Sequence, residues 1–142
     1  MSGSGTPNPP RSAGVGRGDI VSQITSDLNT LEGIQADLAT IATRDDAQRR
    51  HDLIQLRRDL AAQIANIGKV ADPYFASLPD PGLYLAFRER FSRMRSAAAI
   101  HQASWPAVTL GDDPGQYQKS ANSVREANHM FINWMRAQLS SA

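Results

Sequence analysis

Two short stretches of the sequence hold residue types that could do chemistry, and the first lies at residues 49–58, RRHDLIQLRR. In it, His51 stands beside Asp52. An exposed histidine ring nitrogen can accept a phosphoryl group, and a neighbouring carboxylate can take up the displaced proton. The pair therefore makes His51 a candidate phosphoacceptor, with Asp52 as its proton acceptor.

The letters RRHDLIQ also resemble the His-Asp dyad of one class of histidine-kinase dimerisation helices, in which a glutamine follows in the next turn. Here Gln55 stands one position earlier than in that pattern. The resemblance implies a phosphorelay role for His51. An ordinary charged helix surface, with weak ion pairs among neighbouring arginines and aspartates, is the alternative interpretation of the same residues.

The second stretch is Glu126-x-x-His129, the spacing by which one helix turn supplies two ligands to a di-iron bundle. Such a site also needs a second pair and further inward-facing glutamates, yet the chain has three glutamates in all. At 100° per residue, Glu126 and His129 lie about 140–160° from Phe131, which marks the apolar side of this helix. We therefore predict that both residues face solvent and that the chain binds neither a metal nor another cofactor.

His101 differs from the other two histidines because it falls within an apolar seam, between Ala98 and Trp105. We predict a buried histidine that desolvation keeps neutral. The sequence places no acidic residue within the apolar seam of another helix, where it could face His101. The sequence also lacks a glycine-rich phosphate loop and a nucleophile elbow, so we predict no catalytic residue and a chain that is not an enzyme.

The elements that position these residues are predicted to be helices. From Val21 to Ile41 the larger apolar residues recur three or four positions apart, which places them on one helix face. A second stripe runs from Leu53 to Ile67 after a polar interruption. The interruption predicts a helical hairpin, with Thr43 and Asp46 as a capping box at the start of the second helix. One continuous helix is the alternative.

Turn residues delimit the second half of the chain. Gly68, Pro73 and Pro79 predict a loop after the second helix. The letters DPG then occur twice, at 80–82 and 113–115. In each copy the aspartate can cap exposed amides while the proline takes the first helical position. Two further helices are therefore predicted, each starting at one of these prolines.

The predicted fold class is all-α: a four-helix bundle-like domain made of a long helical hairpin and two further helices. Residues 19–142 form this single domain. Residues 1–18 hold five of the ten glycines and three of the eight prolines, and Val15 is their largest apolar group apart from Met1. Such a segment cannot bury enough apolar surface to offset its ordering entropy, so we predict a disordered tail.

The composition narrows the classes of function. The chain has no cysteine, which removes disulfides and thiolate metal sites. No apolar run approaches the roughly 20 residues that span a bilayer, and the N-terminus lacks the apolar core of a signal peptide. These features predict a soluble, cytoplasmic protein that does not insert into a membrane.

The charges argue against nucleic-acid binding. Fifteen basic residues stand against fourteen acidic ones. The arginines of the third helix, at positions 88, 90, 93 and 95, point in several directions and do not form one stripe that could follow a phosphate backbone. The first helix carries acidic residues from Asp19 onwards, which predicts an acidic helix complementary to the basic third helix or to a charged partner.

The C-terminal helix carries the predicted partner-binding residues. Its apolar coverage widens at Met130, Ile132, Trp134 and Met135, and aromatic and methionine side chains make good interface anchors. We therefore predict a non-enzymatic protein-binding module of an adaptor, chaperone-like or regulatory kind, which binds another protein or itself through this helix. The alternative role of the four residues is to complete the chain's own core. The alternative function is phosphorelay through His51.

Overall fold

The computed structural model describes residues 16–106 and 114–141, and within these ranges it contains helices and no strand. This confirms the predicted all-α, four-helix bundle-like fold. In the described part of the chain, no helix is long and apolar enough to cross a membrane. The four helices are α1 (Arg17–Ile41), α2 (Arg49–Ala76), α3 (Pro81–Ser104) and α4 (Pro114–Ser140).

Each helix packs against the two that neighbour it around the bundle, so that α1 lies diagonal to α3 and α2 diagonal to α4. The side-chain amide nitrogen of Gln118, near the start of α4, donates to the carbonyl oxygen of Ala42 at the end of α1 (3.4 Å). Farther along α4, Arg136 donates to the side-chain oxygen of Asn29 (2.8 Å). The first and last helices therefore run antiparallel.

The polar interruption forms a hairpin, as predicted, but the predicted capping box does not form. The hydroxyl of Thr43 donates backwards to the carbonyl oxygen of Thr40 (2.8 Å), so it satisfies the end of α1 instead of starting α2. The carboxylate of Asp46 accepts from the guanidinium of Arg44 (2.7 Å) and from the backbone amide of Gln48. These bonds hold the turn, and α2 begins only at Arg49.

The predicted loop from Gly68 onwards is wrong, because α2 continues through Gly68 and Pro73 to Ala76. A proline costs a helix one backbone hydrogen bond. Here it lies close to the helix end, and the residues that follow it have strong tertiary contacts. Phe75 is fully buried, and its ring stacks on Phe87 of α3 with centroids 4.8 Å apart. Burial of this ring favours the final turn, and the loop shortens to 77–80.

The start of α3 is as predicted. The carboxylate of Asp80 accepts a hydrogen bond from the amide of Gly82 (2.9 Å), and Pro81 occupies the first helical turn. The second copy of this pattern precedes α4, which begins at Pro114. Asp113, its predicted cap, lies outside the described residues. So do residues 1–15 of the predicted tail, while Arg17 and Gly18 belong to the first turns of α1.

The core consists of one large cluster and one small cluster. In the large cluster the rings of Phe75, Phe87, Phe91, Phe131 and Trp134 contact one another across α2, α3 and α4. The small cluster, Ile41, Leu53 and Tyr117 with their partly buried neighbours, lies where the α1–α2 turn meets the start of α4. This end of the bundle contains the histidine that was predicted to be buried.

Candidate functional site

The structure places His51 on the exposed surface of the first turn of α2. Its predicted proton acceptor, Asp52, has another partner: the carboxylate lies 2.8 Å from the guanidinium of Arg44. Gln55 donates to Asp59 on the same helix (3.0 Å). The neighbours of His51 are thus engaged in the ordinary surface ion pairs and hydrogen bonds of a charged helix, and its role as a phosphoacceptor stays a prediction.

Glu126 and His129 are both exposed on α4, on the side away from the core. Within residues 16–106 and 114–141, no group of three or more histidine, aspartate or glutamate side chains lies close enough to hold a metal ion. Glu126 and His129 therefore have no further metal ligands beside them on the other described helices.

His101 lies partly buried where α3 meets α4. Its Nδ1 lies 2.6 Å from the hydroxyl of Ser120, and its ring centroid lies 5.5 Å from that of Tyr117. Burial, with a smaller contribution from the positive charge of Arg57, lowers the pKa of His101 to about 4. The imidazole is consequently neutral near pH 7, for the physical reason on which the sequence prediction was based.

The four predicted partner-binding residues of α4 do not share one surface. Ile132 and Met135 are 1% and 0% exposed and belong to the core of the chain. Trp134 is half-buried, since its ring packs against Phe75 and lies beneath the guanidinium of Arg90. Met130 is 59% exposed. A partner that approaches this monomer could touch only Met130 and part of Trp134.

The charges of α1 and α3 do not face each other, because these two helices are diagonal in the bundle. The predicted complementarity between them is therefore wrong. The acidic helix pairs instead with α4, where Arg136 lies 3.0 Å from Glu32 and lowers the pKa of that carboxyl group. The arginines of α3 are dispersed as predicted: three lie over aromatic rings, and Arg93 pairs with Glu89.

A long groove runs between α2 and α3 on the outside of the bundle, with a volume of about 730 Å³. We call it the α2–α3 groove. Its floor is apolar and its walls are made largely of small residues, with four charged side chains and one glutamine along the rim. The floor contains Leu60, Ile64, Phe87, Phe91 and Ala98, the walls Ala61, Ala65, Gly68, Ser92 and Ala99, and the rim Lys69, Asp72, Arg88, Arg95 and Gln102.

The ring of Phe91 occupies the space above Gly68, and this contact shapes the middle of the groove. A Cβ atom at position 68 would lie 2.9 Å from Cζ of Phe91, closer than real side-chain carbons approach one another. Only glycine leaves room for the ring at this point. Ala61 and Ala65 continue the same edge of α2 at helical spacing, so the wall stays low along its length.

The groove was not predicted from the sequence, because only the residues along the middle of each apolar stripe were considered. The signal that could have indicated it is the row of small residues at positions 61, 65 and 68, three or four apart beside the stripe of α2. Small residues in this pattern allow close approach of helices but leave little side chain to cover what lies between them.

These features define an all-α protein with an open groove and without a recognisable catalytic constellation in its described residues. Comparison of the chain with protein-family models, with curated proteins and with solved structures finds no match.

Proposed function

We propose that this chain is a non-enzymatic protein-binding module that takes up an amphipathic helix of a partner in the α2–α3 groove. The observation that carries this proposal is a groove of about 730 Å³ between α2 and α3, in which the accessible apolar surface belongs to Phe91 and to the alanines of both walls. Helix-in-groove binding uses such a surface, because the apolar face of an incoming helix can replace water along the floor.

The dimensions of the groove suit a short helix. Its α2 lining runs from Leu60 to Asp72, which corresponds to about 18 Å at a rise of about 1.5 Å per residue. A partner helix of three turns covers this length and presents apolar residues at i, i+3, i+4 and i+7. Larger side chains at positions 61, 65 and 68 would fill the groove. The small residues at these positions therefore leave the space in which a partner helix can dock.

The rim of the groove selects the charge of the partner. Lys69, Arg88 and Arg95 outnumber the single acid, Asp72, whose carboxylate already accepts a hydrogen bond from Tyr84. Among the described residues, no carboxylate lies within ion-pair distance of these three basic groups. Complementary charges steer association and suppress wrong partners. The partner helix is therefore acidic on the sides that flank its apolar face.

The groove is a better recognition surface than the C-terminal helix. Of the four residues predicted there, two lie in the core and only Met130 is widely exposed. A single exposed methionine gives little apolar area, whereas interface cores need a contiguous patch. Self-association through α4 would have to use this small area unless the bundle opened.

Two synthetic helices with the same leucine face test the proposal, one flanked by glutamates and the other by lysines. We expect the acidic peptide to bind the full chain at least about tenfold more tightly in fluorescence anisotropy at low salt. Ala65→Trp should abolish this binding because the indole fills the groove. The matched control is Ala62→Trp, since Ala62 is exposed on the same helix but does not line the groove. Equal affinity for both peptides, or equal loss in both variants, would contradict the proposal.

A further inference from the structure

A second, smaller cavity lies at the other end of the bundle and shares three lining residues, Leu60, Ala98 and Gln102, with the α2–α3 groove. Its volume is about 130 Å³, and side chains from all four helices line it. Most of the lining is apolar, contributed by Leu38, Leu53, Leu60, Ala98 and Val124. An apolar lining alone would indicate nothing more than imperfect packing, but this cavity also contains, among the described residues, a guanidinium without a counterion and an amide nitrogen without an acceptor.

The first polar group is the guanidinium of Arg57, which enters the cavity from α2. One of its nitrogens donates to the backbone carbonyl oxygen of Trp105 (2.7 Å). In the part of the chain that the structure describes, no carboxylate lies within ion-pair distance of it. Burial lowers the pKa of Arg57, which reflects the cost of placing this cation away from water. A half-buried positive charge without a counterion favours the entry of an anion.

The second polar group is Gln35 of α1, which is only 4% exposed and lines the same cavity. Its side-chain nitrogen Nε2 has no hydrogen-bond acceptor among the described residues. A buried donor that stays unpaired costs free energy, so native structures rarely contain one. An acceptor placed in the cavity would satisfy the amide and the guanidinium together.

Two aromatic rings also lie on the polar side of the cavity, which Gln102, Gln118, Asn122 and Arg125 extend. Tyr117 is 3% exposed, and His101 packs against it. Because His101 is neutral near pH 7, it neither repels an anion nor adds a second cation. Arg125 also lines the cavity but is exposed, so Arg57 supplies the one half-buried guanidinium, which matches a monoanion better than a phosphate dianion.

We propose that this cavity binds a small organic monocarboxylate, with the carboxylate on Arg57 and Gln35 and the apolar body among the leucines. Size supports this class of ligand, because an engineered apolar cavity of about 150 Å³ in another protein holds benzene. A carboxylate with a ring or a short branched chain therefore fills the space. This site goes beyond the proposed protein-binding function and does not depend on it.

Benzoate and its uncharged analogue benzyl alcohol test the site on the full chain, with amide chemical shifts and calorimetry as the measurements. We expect benzoate to bind in the millimolar range or more tightly, with shifts at residues that line the cavity, and benzyl alcohol to bind at least about tenfold more weakly. Equal binding of the two compounds would show an apolar cavity without anion recognition. Absence of benzoate-dependent shifts at millimolar concentration would also overturn the proposal.

Paired arginine variants locate the charge. Arg57→Gln should weaken benzoate binding by about tenfold or more, whereas Arg58→Gln, at an exposed neighbouring position that does not line the cavity, should leave it unchanged. Gln35→Leu gives a second test that keeps Arg57 in place, and we expect several-fold weaker binding because the amide donor is lost. Full benzoate affinity in Arg57→Gln would refute the assignment. Circular dichroism verifies that each variant remains folded.

Discussion

Replacement of Gly68 by alanine tests the close contact between α2 and α3 that shapes the groove. Glycine inside a helix costs about 1 kcal/mol relative to alanine, so the change alone should stabilise α2 by that amount. However, the new methyl group would lie 2.9 Å from Cζ and 3.2 Å from Cε2 of Phe91. The ring must move, and overpacking of this kind costs roughly 1–3 kcal/mol.

Gly33 provides the matched control, because it also lies within a long helix but a methyl group added there would have no atom within 4 Å. Gly33→Ala should therefore stabilise the chain by about 1 kcal/mol. Gly68→Ala should change the free energy of unfolding by between about zero and 2 kcal/mol in the destabilising direction. The two variants are thus expected to differ by about 1–3 kcal/mol.

Urea unfolding followed by circular dichroism measures both variants, since the midpoint at constant slope gives the free energy directly. The double variant Gly68→Ala with Phe91→Leu completes a thermodynamic cycle. Without the ring, the alanine should recover most of its helical stabilisation. If Gly68→Ala is as stabilising as Gly33→Ala in the wild-type background, the contact between glycine and ring is not the constraint that we describe.

Four further changes test other parts of the structure. Asp80→Ala should destabilise the chain by about 1 kcal/mol in urea unfolding, because the amide of the first turn of α3 loses its acceptor. Trp134→Ala should lower the free energy of unfolding by about 3 kcal/mol through loss of packing on Phe75, and an unchanged value would identify a surface residue instead. The pKa of His101 is about 4 in the folded chain, whereas the ordinary pKa of histidine is 6.5. As the pH falls from 6.5 to about 4, the unfolded chain therefore binds a proton that the folded chain does not. Stability should therefore fall across that window, on the order of 1–2 kcal/mol because solvent screens the half-buried ring, and His101→Gln should flatten this profile. Incubation with a phosphorylated receiver domain should leave no acid-labile label on the wild-type chain beyond that on His51→Gln, whereas a label that depends on His51 would favour the phosphorelay alternative.

The number of helices and their approximate positions in the chain could be predicted because apolar residues keep helical spacing over long segments. The start of α3 could also be predicted, since Asp80 and Pro81 act locally and need no tertiary contact. The end of α2 could not. Gly68 and Pro73 are loop signals by their backbone chemistry, and only the burial of Phe75 against α3 outweighs them. Local backbone preferences therefore mispredicted the end of α2, because tertiary packing determines where this helix ends.

The two candidate sites were beyond sequence reasoning for a different reason. Arg57 belongs to the stretch 49–58, for which an ordinary charged helix surface was one of two interpretations, yet it lies beside the apolar stripe and turns inward. Its neighbours in the cavity, Gln35, His101 and Tyr117, come from three other helices. Their association depends on the order of the helices around the bundle and on the rotation of each, which spacing along one helix does not specify.

The most direct test of the central claim, that the α2–α3 groove receives an acidic partner helix, is site-specific photocrosslinking in the native cell. A benzophenone side chain at Lys69, on the rim of the groove where a long side chain is already present, is compared with one at Ala62, which is exposed outside the groove. We predict a crosslink at position 69 alone, to a peptide that mass spectrometry maps to an amphipathic helix with acidic flanks. Equal crosslinking from both positions, or attachment to a segment that is basic or not helical, would contradict the account.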